Sequence, residues 1–307
     1  MLKKRSRRLF IKGLGASGLA TAAVSGTTAY AQEGSSEHTS REKPAHESYL
    51  NPRKVLLYEN TRKEVREWIA SGDLKAAIIP TGSTEQHNEH MAMCMDTKAA
   101  LLISQQVALK LYPKVIVTTP VPFGICPFWM NRQGTITVRE EIFKGLVYDI
   151  CCSMKAHGIH TLLIVNGHGG NSRALNEMVP EIRSELGITI DGFSYWSSIS
   201  RDQRKEFTDS GIIPGHADEF ETSFALAAFP EIIRRTTYDG FEPYKWDSNK
   251  EDMDRVGYVD VNWDTPEWDK KSFEDSYLAT AEKGERAIAH AVDWVSVKML
   301  AMMEDSD

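Results

Sequence analysis

The stretch TLLIVNGHGGN, residues 161–171, decides the fold class of this 307-residue chain. Its first five residues form an uninterrupted apolar run, which is typical of a strand buried on both faces of a parallel sheet. The glycine-rich segment NGHGGN follows at once, and residues 173–186 are predicted to form a helix that ends at Gly187. A buried strand, a polar loop and a helix in this order predict one unit of an α/β fold.

The same alternation of short apolar strands and amphipathic helices extends along the chain. It predicts an α/β fold with a mostly parallel central sheet, in which ligands bind where strands end and loops lead into helices. The predicted strands cover residues 74–79, 115–121, 161–165 and 188–196, with a short strand or turn at 134–138. The predicted helices cover residues 61–71, 97–111, 139–157, 173–186, 221–228 and 278–303, and Thr61 is predicted to cap the first of them.

The composition is that of a globular enzyme and narrows the possible functions. Hydrophobic residues make up 41% of the chain and charged residues 26%, which permits one large domain or two small ones. The formal net charge of −7, with no basic stripe outside the N-terminal segment, argues against a nucleic-acid partner. No apolar stretch in the body of the chain is long enough to span a bilayer.

The N-terminal segment has the features of an export signal. SRRLFIK, residues 6–12, resembles the twin-arginine motif, and a region of small residues leads from it to an AYA sequence that ends at Ala31. Residues 1–31 are therefore predicted to be a cleaved signal peptide, with the twin-arginine export machinery as a partner. The predicted location is the periplasm or the exterior, with no stable membrane anchor. The polar residues 32–48 are predicted to be a flexible leader, and residues 49–307 the folded domain.

The four cysteines, Cys94, Cys126, Cys151 and Cys152, do not predict a thiolate zinc site, because no CxxC pattern occurs. We interpret them mostly as small buried hydrophobic residues, with Cys94 set apart because it lies in a polar loop. An oxidising destination would permit disulfides, although adjacent cysteines on a helix point apart.

A polar loop, TGSTEQHNEHMAMCMDT at residues 81–97, follows the first apolar strand. Glu85 and His87 stand two residues apart, so in an extended segment both side chains point to the same side. Asp96 precedes a helix and could be either a metal ligand or the helix N-cap. Carboxylates mixed with imidazoles suit zinc, manganese or iron better than calcium.

Two further loops could complete such a site. His168 lies in NGHGGN, whose glycines permit close approach and positive φ and whose spacing fits neither the dinucleotide nor the nucleoside-triphosphate pattern. A metal ligand or a catalytic base is the better interpretation of this histidine. The third loop is GHADEFETS, residues 215–223, in which His216 and Glu221 are predicted to be functional. Asp218 and Glu219 are interpreted as solvated acidic residues at a helix N-terminus.

Three motifs in this order, EQHNEH, NGHGGN and HADEFETS, together with LATAEKG at residues 278–284, resemble those of the creatininase (creatinine amidohydrolase) family. The resemblance extends from about Tyr49 to the C-terminus. It implies a three-layer α/β/α fold and a homo-oligomer, with a hexamer favoured.

The resemblance also implies a centre for one or two divalent cations, zinc, manganese or iron. Glu85, Asp96 and His168 would hold the first cation, and His87 and Asp96 the second, with Asp96 bridging them. Glu221 is an additional ligand, since creatininase itself has a glutamate where this chain has Gly170. His216 matches the family's proton-transfer histidine.

The implied activity is hydrolysis of a small cyclic amide or another non-peptide C–N bond in a small-molecule substrate, by a metal-activated water. The alternatives are a hydrolase or ring-opening enzyme acting on a keto-sugar or keto-inositol, and a non-catalytic periplasmic binding protein. Trp129 replaces a histidine that many family members carry. Trp129, Arg132, Tyr195 and Trp196 are candidate substrate contacts, with packing an equal alternative for the last two.

Overall fold

The computed structural model describes residues 54–234, 236–238, 250–259, 261 and 265–305. The predicted signal peptide and leader, and the first residues of the predicted folded domain, lie outside these ranges. All of the described residues belong to one compact unit. Among them, no helix is both long enough and apolar enough to cross a membrane.

A four-stranded parallel sheet forms the centre of the described fold, with strand order β2-β1-β3-β4. In the register of the two central strands, Thr81 at the end of β1 is paired with Asn166 at the end of β3. The carboxyl ends of β1 and β3 therefore lie side by side. The strands are β1 (Ala76–Thr81), β2 (Val115–Val117), β3 (Thr161–Asn166) and β4 (Thr189–Ser194).

Helices cover both faces of the sheet, as the sequence predicted. Two adjacent residues of β3 point to opposite faces of the sheet and show this. Leu163 packs in a core cluster with helices α2, α6 and α9, whereas Leu162 packs with α3 and α4. The α/β/α layering is thus confirmed. The helices of the described ranges are α1 (Arg62–Ser71), α2 (Met95–Lys110), α3 (Glu140–Ala156), α4 (Ser172–Leu186), α5 (Arg204–Phe207), α6 (Glu219–Ala228), α7 (Lys250–Arg255), α8 (Pro266–Asp275) and α9 (Ala281–Glu304).

Local sequence signals set several helix ends. The Thr61 side chain accepts a hydrogen bond from the Glu64 backbone amide, and Glu64 completes a capping box, so the predicted start of α1 is confirmed. The last helix begins later than predicted, at Ala281, because the Thr280 side chain caps it by accepting from the Lys283 amide.

Two predicted strands are shorter than expected, and the segment predicted as a short strand or turn is not a strand. The strand predicted at 115–121 ends at Val117, since Pro120 lies in this stretch and has no amide hydrogen for a sheet ladder. The strand predicted at 188–196 ends at Ser194, and the chain turns into a short 3₁₀ helix, Tyr195–Ser198. Residues 134–138, predicted as a short strand or turn, begin in a turn at Gly134 and pair with Thr84 through an isolated bridge at Ile136.

Candidate metal centre

The three polar loops meet at the carboxyl ends of β1 and β3, where parallel α/β sheets bind ligands. The loop after β1, the loop after β3 and the loop before α6 each bring side chains to one cluster. All of these side chains are buried except His216, whose side chain is 11% exposed. The cluster consists of Glu85, His87, Asp96, His168, His216 and Glu221.

Two glycines allow the backbones of these loops to come close together. A Cβ atom at Gly167 would lie 2.2 Å from the carbonyl oxygen of Asp96, and one at Gly170 would lie 2.0 Å from that of Ile125. Neither glycine has a positive φ, so of the two properties that the glycines permit, the structure uses close approach. These glycines allow the backbone segments to approach each other closely, because any larger residue would push them apart.

One half of the cluster, which we call the first site, consists of Glu85 Oε2, Asp96 Oδ2 and His168 Nδ1. The His168 nitrogen lies 3.1 Å from the Glu85 oxygen and 3.0 Å from the Asp96 oxygen. An imidazole between two carboxylate oxygens is a donor set that zinc, manganese and iron accept.

The other half, which we call the second site, consists of His87 Nε2, Asp96 Oδ1 and Glu221 Oε2. The His87 nitrogen lies 3.1 Å from the Asp96 oxygen and 3.6 Å from the Glu221 oxygen. Asp96 therefore directs one carboxylate oxygen to each site. It lies in the first turn of α2, whose N-cap residue is Cys94, so the alternative of Asp96 as a helix cap is excluded.

Glu221 provides a carboxylate that the second loop cannot provide. A side chain at Gly170 would also lie 2.5 Å from His168 Nε2, so this backbone leaves no room for a glutamate there. Glu221 extends instead from the first turn of α6, and the Ala217 backbone amide donates a hydrogen bond of 2.7 Å to its Oε2. His87, Asp96 and Glu221 together form a set that could hold a metal ion.

Backbone carbonyl groups orient the two imidazoles. His87 Nδ1 donates to the carbonyl of Glu85 at 3.1 Å, and His168 Nε2 donates to that of Ile125 at 3.0 Å. The nitrogen that faces the cluster is therefore Nε2 in His87 and Nδ1 in His168, and these are the nitrogens that could bind a cation. The Asn166 side chain supports the loop by donating to the carbonyl of His168 at 2.6 Å.

The electrostatics of the cluster couple its acids and its imidazoles. Burial opposes a charge on His87 and His168, but the surrounding carboxylates raise the pKa of His87 to about 10 and that of His168 well above its ordinary value. Burial favours a neutral Glu85, yet His168 and His216 hold the pKa of this carboxyl well below its usual range. Burial, reinforced by the charge of Asp96, raises the pKa of Glu221 to about 8. Protons bound to these side chains thus reduce the negative charge of the buried carboxylates. Divalent cations bound in their place would compensate the same charge.

The donor chemistry therefore fits divalent cations. Asp96 Oδ2 is buried and accepts no hydrogen bond from the part of the chain that the structure describes. The positive charge beside it is that of His168, whose Nδ1 lies 3.0 Å away and also faces Glu85, and a divalent cation would compensate both carboxylates.

His216 lies between these sites and the solvent. Its Nδ1 is 3.2 Å from Glu85 Oε1, and its Nε2 accepts a hydrogen bond of 2.8 Å from the side-chain amide of Gln86. Burial and the charge of His87 lower the pKa of His216, against the pull of Glu85. The histidine also lines a cavity of about 360 Å³ together with Trp268 and other residues. A small molecule in this cavity would contact His216.

The predicted substrate contacts lie in different surroundings. Trp129 stacks on the His216 ring with centroids 4.7 Å apart. Arg132 is buried, pairs with Asp269 at 2.9 Å and lies over the Trp129 ring, so it fixes that tryptophan. Trp196 packs against Tyr195 and the core, and is not among the residues lining the cavity at His216. The packing alternative is thus favoured for Trp196 and Tyr195.

Sequence reasoning was wrong about two residues and missed two others. Asp218 and Glu219 are buried rather than solvated, because Asp218 caps α6 and Glu219 pairs with Lys283. Trp268, from α8, stacks on His216 at 6.1 Å. Cys126 lies 2.7 Å from Glu85 Oε2, and no spacing motif could have indicated this contact.

Comparisons with known proteins identify relatives of this chain. A protein-family model described as "Creatininase: Creatinine amidohydrolase" matches residues 58–299. The 3-dehydro-scyllo-inosose hydrolase of Thermotoga maritima is 29% identical over 204 residues, which are 62% of this chain and 62% of that protein. The creatinine amidohydrolase of Pseudomonas putida is 27% identical over 198 residues, 58% of this chain and 74% of that protein.

The similarity to solved structures concerns the fold. A mutant creatininase described as type II superposes with a TM-score of 0.65 at 23% identity, covering 80% of this chain and 98% of that one. The alignments to the first curated relatives span 62% and 59% of those proteins' length.

Proposed function

Since this chain belongs to the creatininase family, we propose that it is a metal-dependent hydrolase of a small cyclic amide or another non-peptide C–N bond. The observation that carries the proposal is the buried carboxylate of Asp96, which lies 3.1 Å from His87 Nε2 and 3.0 Å from His168 Nδ1, together with the set of His87, Asp96 and Glu221 that could hold a metal ion. Divalent zinc, manganese or iron suits these oxygen and nitrogen donors. Two such cations would be held by Glu85, Asp96 and His168 in the first site, and by His87, Asp96 and Glu221 in the second.

When bound, a pair of divalent cations would activate a water at neutral pH and would polarise the carbonyl group of the substrate. The residues of the chain do the rest. Trp129 and Trp268 stack on His216 and fix the plane of its ring beside the cavity. Because its lowered pKa keeps the ring neutral near pH 7, the His216 imidazole is able to take up a proton and then deliver it to a leaving nitrogen.

His216→Ala is expected to lower kcat by about 10²- to 10⁴-fold, the range for loss of a general acid–base group. The content of bound metal is expected to stay unchanged, since each site retains its own donors. Metal analysis and turnover of a panel of lactams, formamides and keto-inositols measure both effects. As a control, His290→Ala removes a histidine that bonds the backbone of Ser198 instead. Full activity of His216→Ala would contradict the assigned role.

A second candidate function is hydrolysis or ring opening of a keto-sugar or keto-inositol. It is favoured by the similarity to 3-dehydro-scyllo-inosose hydrolase, which covers 62% of each protein. The same substrate panel separates the candidates, because turnover of keto-inositols alone would exclude the C–N hydrolase. Tight metal binding without turnover of any substrate would support a non-catalytic binding protein.

We also propose that residues 1–31 direct twin-arginine export to the periplasm or the exterior. The paired Arg7 and Arg8, followed by Phe10 and Lys12, support this proposal. Replacing both arginines by lysine is expected to retain the protein in the cytoplasm with its precursor uncleaved. Cell fractionation and N-terminal sequencing of the exported protein measure the outcome, and Lys3→Arg/Lys4→Arg serves as the control. Export of the double lysine variant at the normal level would contradict the proposal.

A homo-oligomer, with a hexamer favoured, remains our proposal for the assembly. The support for it is family membership alone. Light scattering on the purified protein would determine the number of subunits.

A further inference from the structure

Cys126 is a thiol inside the candidate metal centre. Its side chain is fully buried, and its Sγ lies 2.7 Å from Glu85 Oε2. The Cys126 backbone amide donates a hydrogen bond of 2.9 Å to Thr137 Oγ1, which fixes the loop that carries the thiol. A side chain held in this way has a defined position relative to the first site.

The thiol faces the same oxygen as the imidazole of the first site. Glu85 Oε2 lies 2.7 Å from Cys126 Sγ and 3.1 Å from His168 Nδ1. Donor atoms of Glu85, Cys126 and His168 all lie within 4.8 Å of one another. One cation could therefore contact all three side chains.

An independent observation indicates that a cation belongs at this point. Asp96 Oδ2 lies 3.0 Å from His168 Nδ1 and is buried, yet it accepts no hydrogen bond from any described residue. This buried carboxylate oxygen is a further donor beside the same imidazole, outside the set of Glu85, Cys126 and His168 whose donor atoms all lie within 4.8 Å of one another. The imidazole, carboxylate and thiol of that set supply three protein donors of the types N, O and S, the number that a catalytic zinc ion takes before a water completes its coordination.

We propose that Cys126 is a thiolate ligand of the cation in the first site, beside Glu85, Asp96 and His168. The inference rests on the metal centre of the proposed function and deepens it. On binding, the S–H bond breaks, a sulfur–metal bond forms, and the proton leaves to solvent. A thiolate makes the first site softer, so it selects zinc over manganese more strongly than an all-oxygen and nitrogen site does.

The competing interpretation is that the thiol only orients Glu85 by donating a hydrogen bond to it. Cys126→Ser separates the two, because serine keeps the hydrogen bond but does not supply a thiolate. The purified full-length chain is stripped with a chelator and titrated with Co²⁺, whose sulfur-to-metal charge-transfer absorption reports a thiolate ligand. The wild type is expected to show this absorption and Cys126→Ser to lack it. Affinity for Zn²⁺ is expected to fall about tenfold or more in the variant.

Cys94→Ser is the matched control, since Cys94 is another thiol near the loops and is expected to leave the absorption unchanged. The inference would be overturned if Cys126→Ser kept the charge-transfer absorption, or if the wild type bound cobalt without showing it. Neither result would contradict the proposed metal centre. Failure of the wild type to bind cobalt at all would overturn both the inference and the proposed function.

Discussion

Asp96→Asn is expected to prevent binding of both cations and to lower kcat/KM by on the order of 10³-fold or more. The carboxylate directs Oδ1 to His87 Nε2 at 3.1 Å and Oδ2 to His168 Nδ1 at 3.0 Å, so it belongs to both sites. An amide keeps the shape but removes the charge and one acceptor. Loss of the cations removes several kcal/mol of transition-state stabilisation, and about 1.4 kcal/mol corresponds to a tenfold change in rate.

The measurement is metal bound per chain after removal of free metal, together with steady-state kinetics. Glu221→Gln is the informative comparison, because Glu221 belongs to the second site only and its loss is expected to leave one cation bound. Glu231→Gln changes an exposed glutamate outside the centre and controls for the substitution itself. Retention of two cations by Asp96→Asn would show that Asp96 does not bridge the two sites.

The sequence predicted the parts of this centre that depend on local pattern. The buried strand before NGHGGN and the strand before the first loop have continuous apolar runs, and both are fully buried in the structure. Because parallel strands bring their carboxyl ends to one edge, Glu85, His87 and His168 could be expected to meet. The family motifs added His216 and Glu221, which the structure brings to the same cluster.

The parts that could not be predicted depend on contacts between distant segments. Cys126 stands 41 residues from Glu85, and only the folded loops bring its Sγ to the carboxylate. Glu219 resembles a solvated acid at a helix start, because its partner Lys283 lies on a helix 64 residues away. A local pattern contains no information about such pairings, since long-range packing determines them.

Lys283→Met is expected to lower the free energy of unfolding by about 1.5–3 kcal/mol, the range for a hydrogen bond to a charged group, because the pair that it forms with Glu219 is partly buried. The Glu219 side chain is fully buried and accepts hydrogen bonds of 2.7 Å from the backbone amides of Asp209 and Ser210. Lys283 Nζ lies 2.6 Å from Glu219 Oε1 and provides the compensating positive charge. Methionine keeps the apolar stem of lysine, so the change removes mainly the charge.

The control is Lys110→Met, which removes the partner of Asp293 from a pair whose side chains are 49% and 71% exposed. Exposed pairs contribute about 0–1 kcal/mol, so this variant is expected to unfold near the wild-type denaturant concentration. Chemical denaturation of each variant measures the difference, and equal effects of the two substitutions would contradict the role of burial.

The pH dependence of the Lys283→Met effect tests its cause. Burial favours a neutral Glu219, but Lys283 and the two backbone amides outweigh burial and lower the pKa of this carboxyl in the folded protein. A lowered folded pKa contributes stability above the unfolded pKa of about 4.3, and that contribution is lost as the pH falls. In the variant, burial without a cation is expected to raise the folded pKa, so ionised Glu219 destabilises the fold at neutral pH and this penalty disappears in acid. The difference in free energy of unfolding between wild type and variant is therefore expected to be largest near pH 7 and to shrink as the pH falls. A difference that does not change with pH would show that the loss comes from packing of the lysine side chain and not from its charge.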